Sequence, residues 1–349
     1  MQTKSKIGND LFVLSVSRDS MEDQFDNLFS NCLKTGFGEV TISDEQMEFC
    51  SKLNKEIIIF CRSLPISAQT DGLLFFMRYF QIPFESELKF FRNYYTPAWS
   101  IIYWLIRPGL QNKRLNQNDI QNAKTAHAMA LFLHPLDDHL SDGELQVTYL
   151  NLLLRSQLWM VMNVAFKRLS SGVESGEQLV QRYIDDYYSG IRDSNKLLSL
   201  DNYCDRFRKQ MAIWLIAPVL LTKKIASDEK FTDAIQKAYG SFGIAWRLLD
   251  DINDIKIDME KGTHSSVYFC LSEDMKNLWN RQSEDKIDKT DEDWRVIWNY
   301  LSENNVIDDI KNRICKELES AASIAQGYNM KGLADEFRCL LSPLQNKSA

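Results

Sequence analysis

At 349 residues the chain has room for one large domain or two ordinary ones, and for a sizeable core without disulfide staples. Its 44% apolar and 26% charged residues exclude a disordered chain, and its net charge of −7 excludes one built around a nucleic-acid backbone. The longest apolar run, Met211 to Leu221, has 11 residues against the ~20 of a membrane span, so it reads as a buried helix.

Only 14 glycines and 7 prolines punctuate this length, which favours helix over a turn-rich β sandwich or barrel. At the N-terminus, the apolar stretch Leu11 to Val16 is too short for a secretory signal, and Asp10, Asp19, Glu22 and Asp23 argue against a transit peptide. Ser43 to Gln46, Ser175 to Gln178 and Thr290 to Asp293 have the form of capping boxes. Breaks are expected at Gly36 and Gly38, Pro83, Pro108-Gly109, Gly172 and Gly176, and Gly262. Between them apolar residues recur at three- and four-residue spacing, as in Leu197 to Leu221, and no stretch alternates with period two. This predicts about a dozen helices. The charged stretch Gln282 to Asp293 reads as an exposed connection, and no repeat suggests a solenoid. The expectation is one all-α domain over residues 1–349, with 1–40 as a partly separate N-terminal segment.

The seven cysteines, Cys32, Cys50, Cys61, Cys204, Cys270, Cys315 and Cys339, include no C-x-x-C pair, and their number is odd. A disulfide framework or cysteine zinc site is not expected, and a reducing, cytoplasmic compartment is.

Two acidic clusters stand out. The first, Asp137 to Glu144, ends a segment that reads as helix from Asn118 to Leu136, with a kink expected at Pro135. Asp138 and Asp142 are four residues apart and share a helix face, with Asp137 about 100° around the axis. In the second, Asp250, Asp254 and Asp258 form one stripe, with Asp251 at its edge. Like charges at this spacing cost about 0.2–0.5 kcal/mol per pair. Such a stripe either faces water or binds a cation. An EF-hand fails at Leu140 and Tyr149, no Glu-x-x-His serves a di-iron bundle, and four histidines without H-E-x-x-H give poor support for zinc. All-carboxylate donors suit Mg²⁺ shared with phosphate oxygens.

From Gly243 to Asp254 the chain reads G-I-A-W-R-L-L-D-D-I-N-D. This resembles the second aspartate-rich motif of the class I isoprenoid synthases, a superfamily of prenyl diphosphate, squalene, phytoene and terpene synthases. Arg247 stands where prenyl synthases carry glutamine. Asp250, Asp254 and Asp258 also occupy the metal-ligand places of the terpene synthase pattern. Asp138 and Asp142 form the D-x-x-x-D of squalene and phytoene synthases. The resemblance implies a helical barrel with a central cavity, and a cytoplasmic enzyme that allows a homodimer. It implies Mg²⁺, three ions with bound diphosphate, held by Asp137, Asp138, Asp142, Asp250, Asp251, Asp254 and Asp258. It gives Asp137, Asp138 and Arg206 catalytic roles. Arg206, Arg208, Lys209, Arg247 and Lys261 would bind the diphosphate of a prenyl diphosphate substrate.

The stretch Phe75 to Trp104 carries twelve aromatic residues in thirty, enough for core and pocket alike. Phe76, Tyr95, Trp99, Tyr103 and Trp246 are the expected pocket lining, with Trp159, Trp214 and Phe242 as further candidates. The segments that would hold a second diphosphate in chain-elongating prenyl synthases are not basic here. The main expectation is therefore a terpene synthase that ionises one allylic diphosphate and cyclises the cation. A prenyltransferase of the same fold and a non-catalytic all-α interaction protein remain as alternatives.

Overall fold

The computed structural model describes residues 36–107, 115–192, 197–226, 228–284 and 291–345. Leu11 to Val16, Cys32, Pro108-Gly109 and Thr290 lie outside these residues. So do residues 1–35, and the chain from Gly36 onward packs as one compact unit.

The described residues form fifteen helices and no strand. The first five are α1 (Asp44–Ser63), α2 (Ile66–Tyr79), α3 (Thr96–Ile106), α4 (Gln117–Ser141) and α5 (Tyr149–Ser170). The next five are α6 (Gly176–Arg192), α7 (Leu200–Gln210), α8 (Ala212–Ile225), α9 (Glu229–Asn253) and α10 (Ile255–Lys261). The last five are α11 (Ser266–Phe269), α12 (Glu273–Glu284), α13 (Asp291–Glu303), α14 (Val306–Gly327) and α15 (Lys331–Gln345).

The cap of α1 is the predicted one. Ser43 Oγ accepts from the Gln46 N–H at 3.3 Å, and Gln46 Oε1 accepts from the Ser43 N–H at 3.0 Å, so two donors that the helix cannot satisfy are paired. Ser175 departs from its prediction. It adopts φ 52°, in the left-handed region, and α6 starts at the next residue, whereas a capping residue has extended backbone.

The apolar run from Met211 became the central helix. Every residue of α8 from Ala212 to Thr222 is buried, and α8 packs against α4, α6 and α9. Burying each large side chain of that run stabilises the fold by about 1.5–3 kcal/mol. Around it α4 lies along α5, α9 along α14, and α14 along α15.

α4 passes through Pro135 without ending. Proline lacks an N–H, so the Leu131 carbonyl four residues back loses its helical donor. The Tyr94 hydroxyl donates to it at 2.6 Å, which restores the missing bond. This lets the helix carry its apolar face and its acidic end in one piece.

Candidate active site

The first acidic cluster sits at the C-terminus of α4. Asp142 caps the helix, its N–H donating to the Asp138 carbonyl at 2.9 Å, and Gly143 (φ 72°) turns the chain away. Asp138 is partly exposed and Asp142 exposed. Asp137 points elsewhere and is 7% exposed. Arg155 of α5 grips it with two bonds, Nε to Oδ1 at 2.8 Å and Nη2 to Oδ2 at 3.1 Å, and the Tyr187 hydroxyl donates to Oδ2 at 2.8 Å. Asp137, expected as a catalytic metal ligand, is thus engaged by three protein donors and anchors α4 to α5 and α6.

The second stripe crosses the junction of α9 and α10. The Asp254 N–H donates to the Asp250 carbonyl at 2.9 Å and the Asp258 N–H to the Asp254 carbonyl at 2.8 Å, so helical register survives the junction. Gly262 (φ 67°) then closes α10. Asp251 is again the inward neighbour, at 2% exposure. Tyr203 Oη donates to its Oδ1 at 3.0 Å and the Ser266 N–H to its Oδ2 at 2.9 Å, while Arg247 Nε lies 3.1 Å from Oδ1. Asp251, expected as a metal ligand, is thus engaged by protein partners. It ties α9 to α7 and α11.

The fold brings the two clusters to one mouth. Lys261 at the end of α10 pairs with Glu144 beyond α4 at 2.5 Å. The charges on each side are felt on the other. Desolvation pushes Asp250 up to about 7 against the pull of Arg247, and Asp254, Asp251 and Asp138 add to the rise. Asp258 is pushed up to about 8, first by desolvation and then by Asp251. Asp142 and Asp254 are raised as well, both chiefly by desolvation. These carboxylates outnumber the cations that face them, which is the donor set a hard divalent ion requires. Among the described residues no three carboxylate, histidine or cysteine side chains are already gathered around a metal position. Asp138, Asp142, Asp250, Asp254 and Asp258 fit Mg²⁺ as a few ligands each, with the remaining oxygens coming from substrate or water.

The predicted cations separate. Arg247 lies at the base of the mouth, Nε donating to Tyr203 Oη at 2.7 Å and Nη1 3.7 Å from Asp250 Oδ2. Arg206 is half-buried, Nε donating to the Gly190 carbonyl at 3.2 Å. A Cβ at Gly190 would stand 2.8 Å from the Gln210 nitrogen, so the close crossing of α6 and α7 depends on that glycine. Arg208 turns away and pairs with Asp205 at 2.6 Å and Glu317 of α14 at 3.6 Å. With Lys209 it lines a separate cleft of 540 Å³ beside Lys237 and Gly240. Those residues precede Asp250 on α9 by roughly 15–20 Å of helix. Arg208 and Lys209, expected to bind diphosphate, are thus placed in this cleft and not with the two acidic clusters.

The aromatic residues sort into layers. Trp246 is central: Trp214 stacks on it at 5.1 Å, Phe242 at 6.4 Å, and Tyr94 and Tyr95 meet it edge-on at 6.2 and 6.4 Å. Phe76 belongs to the layer behind, against Phe60, Phe90 and Phe132. Trp99 and Tyr103 pack on Phe49 of α1, and the Tyr103 hydroxyl donates to Glu45 at 3.0 Å. Phe76, Trp99 and Tyr103, expected in the pocket lining, thus pack against other rings, while Tyr95 meets Trp246. Trp159 lies under the Arg155 guanidinium.

Arg155, Tyr187, Tyr203 and Ser266 escaped sequence reasoning. They reach the acids from other helices, and no local pattern marks them. His134 carried a signal, four residues before Asp138 on the same stripe.

No protein-family model matches the chain, and no curated protein does. Solved structures do. The geranylgeranyl pyrophosphate synthetase from Pyrococcus horikoshii Ot3 is 11% identical, with a TM-score of 0.60 over 93% of this chain and 100% of its own. The polyprenyl synthase from Caulobacter crescentus CB15, complexed with calcium and isoprenyl diphosphate, is 12% identical, with a TM-score of 0.61 over 88% and 96%. The geranylgeranyl pyrophosphate synthase from Corynebacterium glutamicum, complexed with isoprenyl diphosphate and magnesium, is 13% identical, with a TM-score of 0.58 over 86% and 99%. At this identity the likeness is one of fold. The chain has the all-α fold of the class I isoprenoid synthase type.

Proposed function

We propose that this chain is a divalent-metal-dependent isoprenoid synthase, and that it works by prenyl transfer. The observation that carries the reading is the meeting of two carboxylate stripes, from α4 and from the α9–α10 junction, at one mouth short of cations. Prenyl transfer is placed ahead of cyclisation because the solved structures of this fold named above are prenyl synthases. That reverses the order reached from sequence.

Asp138, Asp142, Asp250, Asp254 and Asp258 would hold Mg²⁺, three ions when diphosphate is bound. Mg²⁺ neutralises the diphosphate and makes it a leaving group. Arg247 and Lys261 add positive charge at the base and rim, and Arg206 is a third candidate. Trp246, one turn before Asp250 on α9, with Tyr95 and Tyr94 against it, would exclude water and stabilise an allylic cation, at about 0.5–2 kcal/mol per ring. The cation then joins a second isoprenoid unit.

Cyclisation of a single allylic diphosphate keeps one specific observation in its favour. Lys89 is paired with Glu87 at 2.7 Å and Arg107 with Glu45 at 3.0 Å, and Arg92 is exposed. Between Leu88 and Arg107 these are the three cations, and two of them are already engaged by neighbouring acids.

One experiment decides. Prenyl diphosphates of increasing length are incubated with Mg²⁺, with and without isopentenyl diphosphate, and the products analysed. A longer diphosphate formed only with isopentenyl diphosphate establishes transfer. A hydrocarbon or alcohol formed without it establishes cyclisation. If no diphosphate is released under either condition, the enzymatic reading fails and an all-α interaction protein takes its place.

A homodimer is supported by α5. Tyr149, Leu152, Met160 and Val164 are exposed apolar side chains within an arc of about 120° on that helix. Light scattering on the intact chain, compared with Met160→Glu/Val164→Glu, tests it. No helix among the described residues is long and apolar enough to cross a membrane.

A further inference from the structure

His134 stands one turn below Asp138 on α4, on the stripe that also carries Asp142. It is 6% exposed. Its ring centroid lies 4.9 Å from Trp214, 6.0 Å from Tyr187 and 6.1 Å from Phe207. Trp214 is the ring that stacks on Trp246, so the imidazole borders the aromatic layer beneath the acidic mouth. Its Nδ1 is buried and has no hydrogen-bond partner among the described residues. Folding seldom leaves a buried imidazole nitrogen unpaired without a reason. His127, two turns earlier, also leaves its Nδ1 unpaired, but its Nε2 meets the Ala98 carbonyl at 2.7 Å in the core, away from the acids, so it is the place of His134 beneath Asp138 that sets it apart.

Burial holds the His134 ring neutral, pushed down to about 4, with Asp138 and Asp137 opposing that shift and Arg247 and His139 adding to it. A neutral ring carries one lone pair, and in the Nε2–H tautomer it lies on Nδ1. The carboxylates above it would favour a positive charge that formed there.

We propose that His134 Nδ1 is the proton acceptor that ends the carbocation chemistry of this site. The inference rests on the isoprenoid synthase reading and holds for transfer and cyclisation alike. The C–O bond breaks and its electron pair leaves with the diphosphate. The allylic cation takes the π pair of an alkene, on a second isoprenoid unit or on the same chain, which forms a C–C bond and moves the charge to another carbon. A C–H bond next to that carbon then gives its electron pair to a new double bond, and its proton passes to the lone pair on Nδ1. The imidazolium gives the proton to the departing diphosphate or to water as product leaves. A weak base suffices, because a proton beside a carbocation is far more acidic than an imidazolium.

His134→Gln and His134→Phe test this, with two readouts in single turnover. Mg²⁺-dependent diphosphate release should stay within about threefold of wild type, while the deprotonated product falls by about a hundredfold and water-captured alcohol replaces it. A merely structural role would lower both readouts together. The wild-type product formed by His134→Phe at the wild-type rate overturns the proposal. Nitrogen NMR of the intact wild-type chain gives a measurement that does not depend on variants folding. A neutral ring with an unprotonated Nδ1 at pH 7 is expected, and a charged ring at that pH overturns the proposal. Failure of the wild-type chain to release diphosphate from any prenyl diphosphate is a different result: it removes the isoprenoid synthase reading, and this inference with it.

Discussion

Lys261 Nζ lies 2.5 Å from Glu144 Oε1, joining residues 117 positions apart in the chain. That ion pair spans the mouth between α4 and α10 on its exposed side. It ties the end of α4, which carries Asp138 and Asp142, to the α9–α10 segment, which carries Asp250, Asp254 and Asp258.

Asp250→Asn combined with Asp254→Asn should abolish turnover and leave the fold intact. Without ligand, removing like-charge repulsion should change stability by a few tenths of a kcal/mol per i,i+4 pair, in the stabilising direction. The variant should also lose the rise in melting temperature that Mg²⁺ with inorganic diphosphate gives the wild-type chain by ligand linkage. Thermal melts with and without both ligands check this. A loss beyond ~2 kcal/mol in the free protein would mean that these aspartates are structural.

The adjacent acids should behave in the opposite way. Asp251→Ala leaves Tyr203 Oη and the Ser266 N–H without their acceptor and Arg247 without its nearest carboxylate. It should cost about 3–5 kcal/mol, the range for breaking a buried charge pair. Arg155→Met strips Asp137 of its guanidinium and should destabilise in the same direction, by less because Arg155 is itself 35% exposed. Urea unfolding measures both. Values near zero would return Asp137 and Asp251 to the list of free ligands.

Away from the mouth, Glu336 predicts a pH dependence. Its carboxylate is 3% exposed and accepts from Gln46 Nε2 and Trp104 Nε1, each at 2.7 Å, and from the Ser100 hydroxyl. Burial dominates these bonds and pushes the group up to about 7 from an ordinary 4.5. Between those values the folded chain keeps a proton that the unfolded chain releases. The contribution is fully present below pH 4.5 and is lost as pH rises to about 7, with a slope of at most ~1.4 kcal/mol per pH unit. Glu336→Gln should flatten stability across that window. An unchanged slope in urea melts at pH 5, 6 and 7 would contradict this account.

Two glycines separate packing from helix propensity. A Cβ at Gly332 would stand 1.9 Å from the Trp104 ring, whereas one at Gly240 meets nothing within 4 Å. Gly332→Ala should therefore destabilise by about 1–3 kcal/mol through overpacking. Gly240→Ala, in the interior of α9, should stabilise by about 0.5–1 kcal/mol. Chemical denaturation of the two variants side by side checks the opposite signs.

Local periodicity determined a good deal. The scarcity of breakers set the all-α class, and the run from Met211 set the most buried helix. The i,i+4 spacing placed Asp138 with Asp142, and Asp250 with Asp254 and Asp258. Each of these follows from 3.6 residues per turn, a property of the chain next to itself. Tertiary structure decided which of two adjacent acids stays free. Asp137 and Asp138 are both aspartates about 100° apart, and Arg155 and Tyr187, arriving from α5 and α6, turn one of them inward. Tyr203 and Ser266 do the same for Asp251, and Glu317 draws Arg208 away from the mouth. The ring layers were hidden for the same reason. Twelve aromatic residues in one stretch look alike in sequence, and the neighbours each ring meets, Trp246 for Tyr95 and Phe49 for Trp99, come from helices remote in the chain. Partners at such separations leave no periodic trace, so the ligand set, the anchors and the pocket wall became distinct only when the helices packed.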